Sequence, residues 1–193
     1  DFPALWTTSG SGEVRTINQI PGNFLYMNAK DKVYNLMKNI DLPKNFIFEF
    51  DMVMTPGEEE SQYGSCYLTL YKSDKSEFLN DELYPGFQGI HIEMSESIWN
   101  ITSYKEGAGE TRTGSSEIAP ILLNKKCHVI IWIQGRRLRI YHDGKKAVDL
   151  PTIIYEETNP NRLRFSLWGQ NGLPYITNVK FTTAAPDTRS KLL

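Results

Sequence analysis

The sequence of 193 residues contains no long apolar run. A helix that crosses a lipid bilayer needs about 20 consecutive, predominantly apolar residues, and the mean hydropathy of this chain is −0.41. The sequence therefore predicts no transmembrane helix. The chain begins at Asp1 without a signal peptide, which we interpret as a mature or trimmed form of a longer precursor.

The chain also lacks an excess of charge of either sign. Its 21 lysines and arginines nearly balance its 23 aspartates and glutamates, so the formal net charge at pH 7 is −2. Nucleic-acid binding normally requires a basic patch or stripe. The basic residues here form only small groups at 125–126, 136–139 and 145–146, at predicted strand ends and turns, where charge is usually solvated. We therefore expect no nucleic-acid partner.

Cysteine is scarce as well, and this excludes a disulfide framework. The two cysteines, Cys66 and Cys127, match neither a disulfide-rich pattern nor the spacing of a metal site. Both lie within apolar, strand-like segments. We therefore predict two buried free thiols, and the alternative of a single bridge between neighbouring strands stays open.

What the sequence does contain is a series of β-strand patterns. The segment Cys127–Leu150 is typical of three short strands joined by tight turns at Gly135-Arg136 and Asp143-Gly144, and Asp-Gly is among the strongest hairpin signals. In Phe46–Met52, three phenylalanines and a methionine alternate with an isoleucine and two acids. One face of that strand is predicted to be core, and the other to face solvent or a groove.

Such runs recur along most of the chain, and helical periodicity is scarce. We predict an all-β domain over residues 1–183, a two-sheet antiparallel β-sandwich. Gly12–Ile20 is interpreted as one strand, and the Gly-rich segment Lys105–Ser116 as a hairpin tip or loop. Residues 184–193 lose the periodicity and are interpreted as a linker toward a C-terminal domain that this sequence does not contain.

Four segments together resemble the concanavalin A-like lectin/glucanase jelly roll. They are Gly22–Met52, His128–Pro151, Arg162–Gly169 and Tyr175–Phe181. The final ten residues, AAPDTRSKLL, resemble the joint that leads into a peptidoglycan-binding domain of the outer-membrane-protein-A (OmpA) family in proteins of the Bacteroidetes kind. This second resemblance implies a secreted precursor, a place in the cell envelope (periplasm or outer-membrane surface), and peptidoglycan contact only through the missing C-terminal domain.

Two pairs of residues bear on glycosidase chemistry. Retaining glucanases of the concanavalin-like fold carry three acids on one strand, and their chemistry needs two carboxylates about 5 Å apart. Glu49 and Asp51 share a strand face, but the third acid, expected near Met54, is missing. His91 and Glu93 also share a face, and the closing strand resembles that of hydrolases acting on 3-keto-glycosides. A catalytic pair needs further positioned partners, so we assign no catalytic residue.

Carbohydrate binding fits the sequence better. Sugars present apolar C–H faces that stack on aromatic rings, and polar side chains bond their hydroxyls. Trp132 is expected in the core, whereas Trp168 stays open between the core and a binding face. The predicted ligand-binding residues are Trp168, Arg164, Tyr141, Arg139, His91, Glu93, Asn100 and Tyr104.

No cofactor is predicted, although Ca²⁺ stays open. Relatives of this fold hold Ca²⁺ through loop oxygens, and acidic loop residues occur here at Asp74, Asp81, Glu82 and Glu58–Glu60. These acids do not have the ordered spacing of an EF-hand. The three histidines stand far apart in sequence, so we predict no zinc site.

We therefore favour a non-catalytic recognition module of a bacterial cell-envelope protein, whose ligand is a glycan or another envelope component. Two alternatives stay open. One is a glycoside-acting hydrolase of the same fold with an unrecognised site, which requires carboxylates converging in one pocket. The other is a structural spacer domain, which requires neither a groove nor converging acids.

Overall fold

The computed structural model describes residues 7–8, 12–27, 34–39, 42–56, 65–72, 88–94, 98–105, 111–117, 122–156, 160–168 and 172–183. Within these ranges the chain forms fourteen β-strands and no helix, and the strands make two antiparallel seven-stranded sheets. The prediction of an all-β, two-sheet antiparallel sandwich is confirmed. The predicted linker at 184–193 lies outside the described residues.

The first sheet, called sheet A, combines strands from both ends of the chain. Its strands are β1 (Thr7–Thr8), β4 (Tyr34–Asn39), β6 (Ser65–Tyr71), β7 (Gly89–Met94), β8 (Ile98–Tyr104), β9 (Thr111–Glu117) and β13 (Arg162–Trp168). Their order across the sheet is β1-β4-β13-β6-β7-β8-β9. The late strand β13 thus lies between two early ones, and β6 to β9 follow as a meander.

The second sheet, sheet B, contains the remaining seven strands. They are β2 (Gly12–Ile17), β3 (Ile20–Met27), β5 (Asn45–Pro56), β10 (Lys126–Gln134), β11 (Arg137–His142), β12 (Lys145–Leu150) and β14 (Gly172–Thr183). Their order is β12-β11-β10-β5-β14-β3-β2. The long strand β5 therefore lies at the centre of sheet B, between β10 and β14.

The core forms where the inner faces of the two sheets meet. On β5 the alternating residues Phe46, Phe48, Phe50 and Met52 are at most 2% exposed, which confirms the predicted core face. Apolar residues of β6, β7 and β8 pack against them from sheet A. Burial of this apolar surface, at about 25 cal/mol per Å², is the main force that holds the sheets together.

Both cysteines belong to this core. Cys66 comes from β6 in sheet A and Cys127 from β10 in sheet B, and both are buried and free. The prediction of two buried free thiols is therefore confirmed. Burial raises the pKa of each thiol to about 12, so both stay protonated and unreactive near neutral pH.

The predicted meander of β10, β11 and β12 is present with its two turns. Asp143 and Gly144 both have positive φ, 47° and 76°, as a two-residue type I′ hairpin requires. Gly135, in the other turn, has φ of 55°. Glycine adopts positive φ without steric strain, and aspartate tolerates it better than most residues. The residues of the two turns therefore help to set the register of the three strands.

Two strand predictions are wrong. The segment Gly12–Ile20 is a hairpin rather than one strand, because the chain reverses at Asn18–Gln19, where Gln19 has φ of 65°. The segment interpreted as a Gly-rich loop contains a strand, β9, paired with β8. β9 lacks apolar alternation, and a Cβ on Gly114 would lie 2.6 Å from the side chain of Leu150. Gly114 therefore leaves room for the Leu150 side chain and does not mark a turn.

Candidate functional site

The outward side of sheet A, called face A, aligns polar residues in rows across neighbouring strands. In one row Arg164 of β13 pairs with Thr69 of β6, which pairs with His91 of β7. In the next row Glu93 of β7 pairs with Asn100 of β8. These rows exist because antiparallel pairing places alternate residues of adjacent strands on the same side of the sheet.

His91 is the centre of face A. Its Nδ1 lies 3.0 Å from the hydroxyl Oγ1 of Thr69, and its ring stacks on Tyr67 with centroids 5.1 Å apart. Burial, and then the nearby positive charge of Arg164, lower the pKa of His91 from 6.5 to about 4. The imidazole is therefore neutral at pH 7, with one nitrogen able to donate a hydrogen bond and the other able to accept one.

The adjoining row combines an amide with a carboxylate. The Asn100 side-chain amide donates a hydrogen bond of 3.1 Å to Glu93 Oε2. Tyr104 lies on the same side of β8. Burial raises the pKa of its phenol, and a side-chain hydrogen bond with Thr102 lowers it by a smaller amount. Together these three residues offer a carboxylate acceptor, an amide and a phenol.

Exposure increases across face A from β13 toward β8. Arg164 is only 4% exposed and Thr69 is fully buried, whereas His91 and Glu93 are half-buried and Asn100 is exposed. Arg164 therefore offers little surface to a ligand. Among these five residues, the accessible polar groups are those of β7 and β8.

The structure divides the eight predicted ligand-binding residues between two faces. His91, Glu93, Asn100, Tyr104 and Arg164 come together on face A. Trp168 belongs to the same sheet at the end of β13, but its side chain lies outside the described residues. The remaining two residues, Arg139 and Tyr141, lie on the outward side of sheet B, called face B. The eight residues therefore do not make one site.

On face B, Arg139 is held in place by its neighbours. Its guanidinium lies 5.0 Å from the ring of Trp132 and donates a hydrogen bond of 2.7 Å to Gln134. The same guanidinium lies 3.8 Å from Asp149. The expectation that Trp132 belongs to the core is wrong, because the alternation of β10 turns Ile131 and Ile133 inward and Trp132 outward.

Face B also contains a cluster that the sequence reasoning missed. His128 Nδ1 lies 2.7 Å from Asp51 Oδ1, and His128 Nε2 lies 3.6 Å from Glu49 Oε2. Asn178 donates a hydrogen bond of 2.7 Å to the other oxygen of Asp51. Glu49 and Asp51 were recognised as a pair on one strand face, but their partner depends on the pairing of β5 with β10, which strand periodicity does not reveal.

A cleft of about 180 Å³ opens at the end of the sandwich beside Gly135. Its wall is formed largely by apolar side chains, with charged groups from three residues. The lining includes Phe46, Ile90, Ile133, Ile154, Lys44, Arg136 and Glu156. Such a wall offers few hydrogen-bond partners to a sugar, so we take face A as the candidate glycan site.

The described ranges contain neither a metal-binding group nor a membrane-spanning helix. No group of three or more His, Cys, Asp or Glu side chains there is arranged to hold a metal ion. The loop acids considered for Ca²⁺, at Asp74, Asp81, Glu82 and Glu58–Glu60, lie outside the described residues. No described helix is long and apolar enough to cross a membrane.

Comparison with known proteins identifies the fold. No family model matches the chain, and no curated protein gives a significant match. Among solved structures, the carbohydrate recognition domain of Emp47p superposes with a TM-score of 0.69 at 10% identity, covering 95% of this chain and 90% of that chain. The potassium-bound carbohydrate recognition domain of Emp46p gives a TM-score of 0.68 at 13% identity, covering 94% and 89%.

A third similar structure is the carbohydrate-binding module CBM66 from Bacillus subtilis. Its TM-score is 0.55 at 17% identity, and the match covers 92% of this chain and 95% of that chain. At these identities the likeness establishes the fold. The chain is a lectin-like jelly-roll β-sandwich, as the resemblance in sequence predicted.

Proposed function

We propose that this chain is a non-catalytic glycan-recognition module, and that its binding surface is face A around His91, Glu93, Asn100 and Tyr104. The observation that carries the proposal is the alignment of these four residues on adjacent strands β7 and β8. The alignment brings a neutral imidazole, a carboxylate, an amide and a phenol to one accessible surface.

The chemistry of these groups suits a sugar. Each sugar hydroxyl can donate one hydrogen bond and accept others, so it needs partners of both kinds. The neutral ring of His91 and the amide of Asn100 supply both, and the carboxylate of Glu93 supplies a strong acceptor. The rings of Tyr67 and Tyr104 can contact the apolar C–H face of a pyranose.

The structural relatives support the same class of ligand. Emp47p and Emp46p are represented by carbohydrate recognition domains and CBM66 is a carbohydrate-binding module, and each covers nine-tenths or more of this chain. The potassium-bound form of the Emp46p domain is also the reason to test binding with and without metal ions.

We further propose that the module works in the bacterial cell envelope, in the periplasm or at the outer-membrane surface. The support is the resemblance of residues 184–193 to the joint before an OmpA-family domain. The test is fractionation of cells that express the full-length protein. We expect the full-length protein in the envelope fraction, and we expect it to bind isolated peptidoglycan. The present chain alone should not bind peptidoglycan. Recovery of the full-length protein in the cytosol would contradict the proposal.

The test of glycan recognition is an array screen of the purified chain, run once with Ca²⁺ and once with EDTA. For any glycan that binds, we expect Glu93→Gln to weaken the affinity about 10- to 150-fold, because a hydrogen bond to a charged group contributes about 1.5–3 kcal/mol. Asn100→Ala is expected to weaken it by a smaller factor. The matched control is Glu49→Gln, which makes the same chemical change on face B and should leave glycan affinity unchanged.

The outcomes separate the alternatives. Binding that is weakened in Glu93→Gln and unchanged in Glu49→Gln supports recognition at face A. Binding that both variants keep would place the ligand elsewhere on the sandwich. Release of shorter sugars from a bound glycan would indicate a hydrolase, and a blank array with a correctly folded chain would favour the spacer function.

A further inference from the structure

The cleft at the end of the sandwich has no part in the glycan proposal, although it has the size of a small-molecule site. Its volume is about 180 Å³. A cavity of about 150 Å³ lined by leucine, isoleucine and phenylalanine is large enough to hold benzene. The cleft can therefore hold a group of about the size of one six-membered ring, together with a small substituent.

Four side chains, called the apolar floor, line the inner part of the cleft. Phe46 of β5 and Ile133 of β10 come from sheet B, and Ile90 of β7 comes from sheet A. The fourth, Ile154, follows β12. All four belong to the hydrophobic core and are at most 5% exposed. A ligand that reaches the apolar floor needs an apolar part, because burial of apolar surface is favourable and burial of an unpaired polar group is costly.

The charged residues that line the cleft have a surplus of positive charge. Lys44 and Arg136 contribute two positive charges, and Glu156 contributes one negative charge. Arg136 Nη1 lies 3.2 Å from Glu156 Oε1, but the Glu156 side chain is 73% exposed. Solvent therefore screens this ion pair, and such pairs hold their partners only weakly. The surplus of one positive charge favours a ligand with an anionic group.

Arg136 also has a hydrogen-bond donor without an acceptor. Its Nε is buried and has no hydrogen-bond partner among the described residues. A buried donor without an acceptor is unfavourable. The neighbouring Arg137 uses its Nε and Nη2 together to bind the two oxygens of Asp149. Arg136 contacts Glu156 through Nη1, so its Nε remains for a carboxylate, and its side chain is 40% exposed and has room to turn toward one.

Hydrogen bonds fix the backbone around the cleft. The Gly135 N–H donates bonds of 3.0 Å to the carbonyl oxygen of Lys44 and to the side-chain oxygen of Asn45. The Ile154 N–H donates a bond of 3.1 Å to the carbonyl oxygen of Arg136. These bonds hold the two cationic residues and one residue of the apolar floor next to each other. The cleft is therefore formed before a ligand binds, as is usual for small-molecule sites.

We propose that this cleft binds a small amphipathic carboxylate. The apolar part of the ligand, about the size of a benzene ring, lies on the apolar floor, and its carboxylate lies at Arg136 and Lys44. The positive surplus selects an anion, and the apolar floor selects an anion with an apolar end. The site is independent of the glycan proposal, because the described lining of the cleft includes neither Glu93 nor Asn100 of face A.

The test is NMR titration of the chain, labelled at its isoleucine methyl groups, with phenylacetate. We expect the signals of Ile133 and Ile154 to shift and that of Ile176 to stay in place, because Ile176 pairs with Met52, further along β5 than Phe46. Phenylacetamide, which has the same ring without the charge, should bind about tenfold more weakly. Acetate, which has the charge without the ring, should shift none of these signals at the same concentrations.

Three variants test the charged groups. Arg136→Gln should weaken phenylacetate binding about tenfold or more, because it removes the charged donor. The matched control, Arg137→Gln, makes the same change at the next residue and should bind phenylacetate as the wild type does. Glu156→Gln removes the carboxylate that competes for Arg136 and should strengthen binding by up to about fivefold. Unfolding curves of each variant show that the fold is intact.

Three outcomes overturn the proposal. They are the absence of any shift at Ile133 and Ile154 with phenylacetate, equal affinities for phenylacetate and phenylacetamide, and an affinity for phenylacetate that Arg136→Gln leaves unchanged. Glu93→Gln should keep the affinity for phenylacetate, and Arg136→Gln should keep the affinity for a glycan. Failure of either proposal therefore leaves the other standing.

Discussion

The outward faces of the two sheets each hold one histidine, and the two side chains have opposite surroundings. On face A, His91 lies beside the hydroxyl of Thr69 and the ring of Tyr67, with Arg164 as the nearby charge. On face B, His128 lies between the carboxylates of Asp51 and Glu49. Strand geometry is common to both, so the difference arises from the cross-strand neighbours.

This contrast shows that the two outward faces of one sandwich differ in the charge that surrounds their histidines. Burial and a cationic neighbour keep the imidazole of His91 neutral on face A, and its mixture of hydrogen-bond donors and acceptors is suited to hydroxyl groups. On face B the imidazole of His128 lies between two carboxylates, with its Nδ1 2.7 Å from Asp51 and its Nε2 3.6 Å from Glu49. The core between the sheets is shared, so the two faces depend on the same packing.

The largest expected effect therefore comes from the core, which both faces share. Phe50 lies between Glu49 and Asp51 in sequence and is fully buried, and its ring meets that of Phe165, the neighbour of Arg164, at 5.3 Å. Phe50→Ala should lower the free energy of unfolding by about 3–5 kcal/mol, because it removes a large buried side chain and leaves a cavity. Urea unfolding followed by fluorescence measures this.

The matched control for Phe50→Ala is Val14→Ala, at a side chain that is 56% exposed. It should change the free energy of unfolding by less than about 0.5 kcal/mol. A cost below about 1 kcal/mol for Phe50→Ala would contradict the prediction. It would mean that the contact between Phe50 and Phe165 contributes little to holding the two sheets together.

The next effect sharpens the contrast between the two histidines. The pKa of His91 is about 4 in the folded chain, against an ordinary value of 6.5. Between pH 4 and pH 6.5, the unfolded chain therefore binds a proton at His91 that the folded chain does not bind. The free energy of unfolding should decline as the pH falls from 6.5 toward 4, and His91 should contribute no pH dependence above 6.5.

Imidazole NMR titration tests this directly, and we expect the His91 signal to move only near pH 4. Urea unfolding at several pH values should show a shallower decline for His91→Gln than for the wild type over the same window. The groups near His91 on the neighbouring strands are Tyr67, Thr69 and Arg164. A His91 signal that titrates at its ordinary value would show that this part of face A is open to water.

Much of the fold could be predicted because local patterns determine individual strands. The core face of β5 and the meander of β10, β11 and β12 follow the predicted alternation, and the Asp-Gly turn has the expected positive φ angles. β9 could not be predicted, because its threonines, serines and glycine carry no apolar period. The order of strands was also out of reach, since β13 inserts between β4 and β6 through contacts distant in sequence.

The arrangement of the candidate site could be predicted only where its residues share a strand. Alternation places His91 with Glu93 on one face of β7, and Asn100 with Tyr104 on one face of β8, and the structure has both pairs on face A. Their grouping with Arg139 and Tyr141 could not be judged, because those residues belong to the other sheet. The pairing of His128 with Asp51, 77 residues away, depends on strand register, which single-strand patterns do not contain.

The smallest expected effect concerns the ion pairs that hold Arg139 and its neighbours on face B. Arg137 donates hydrogen bonds of 2.7 Å and 2.8 Å to the two oxygens of Asp149, and Lys146 adds a third of 3.0 Å. The Arg137 side chain is 39% exposed, so solvent screens the pair. Arg137→Ala should lower the free energy of unfolding by about 0.2–1 kcal/mol.

A double-mutant cycle with Asp149→Asn isolates the energy of this pair from other effects of the substitutions. The coupling should shrink in about 1 M NaCl, where the Debye length is about 3 Å. A coupling that salt does not reduce would mean that the network is shielded from solvent. The ion pair between Arg137 and Asp149 would then contribute more to the free energy of unfolding than the 39% exposure of Arg137 indicates.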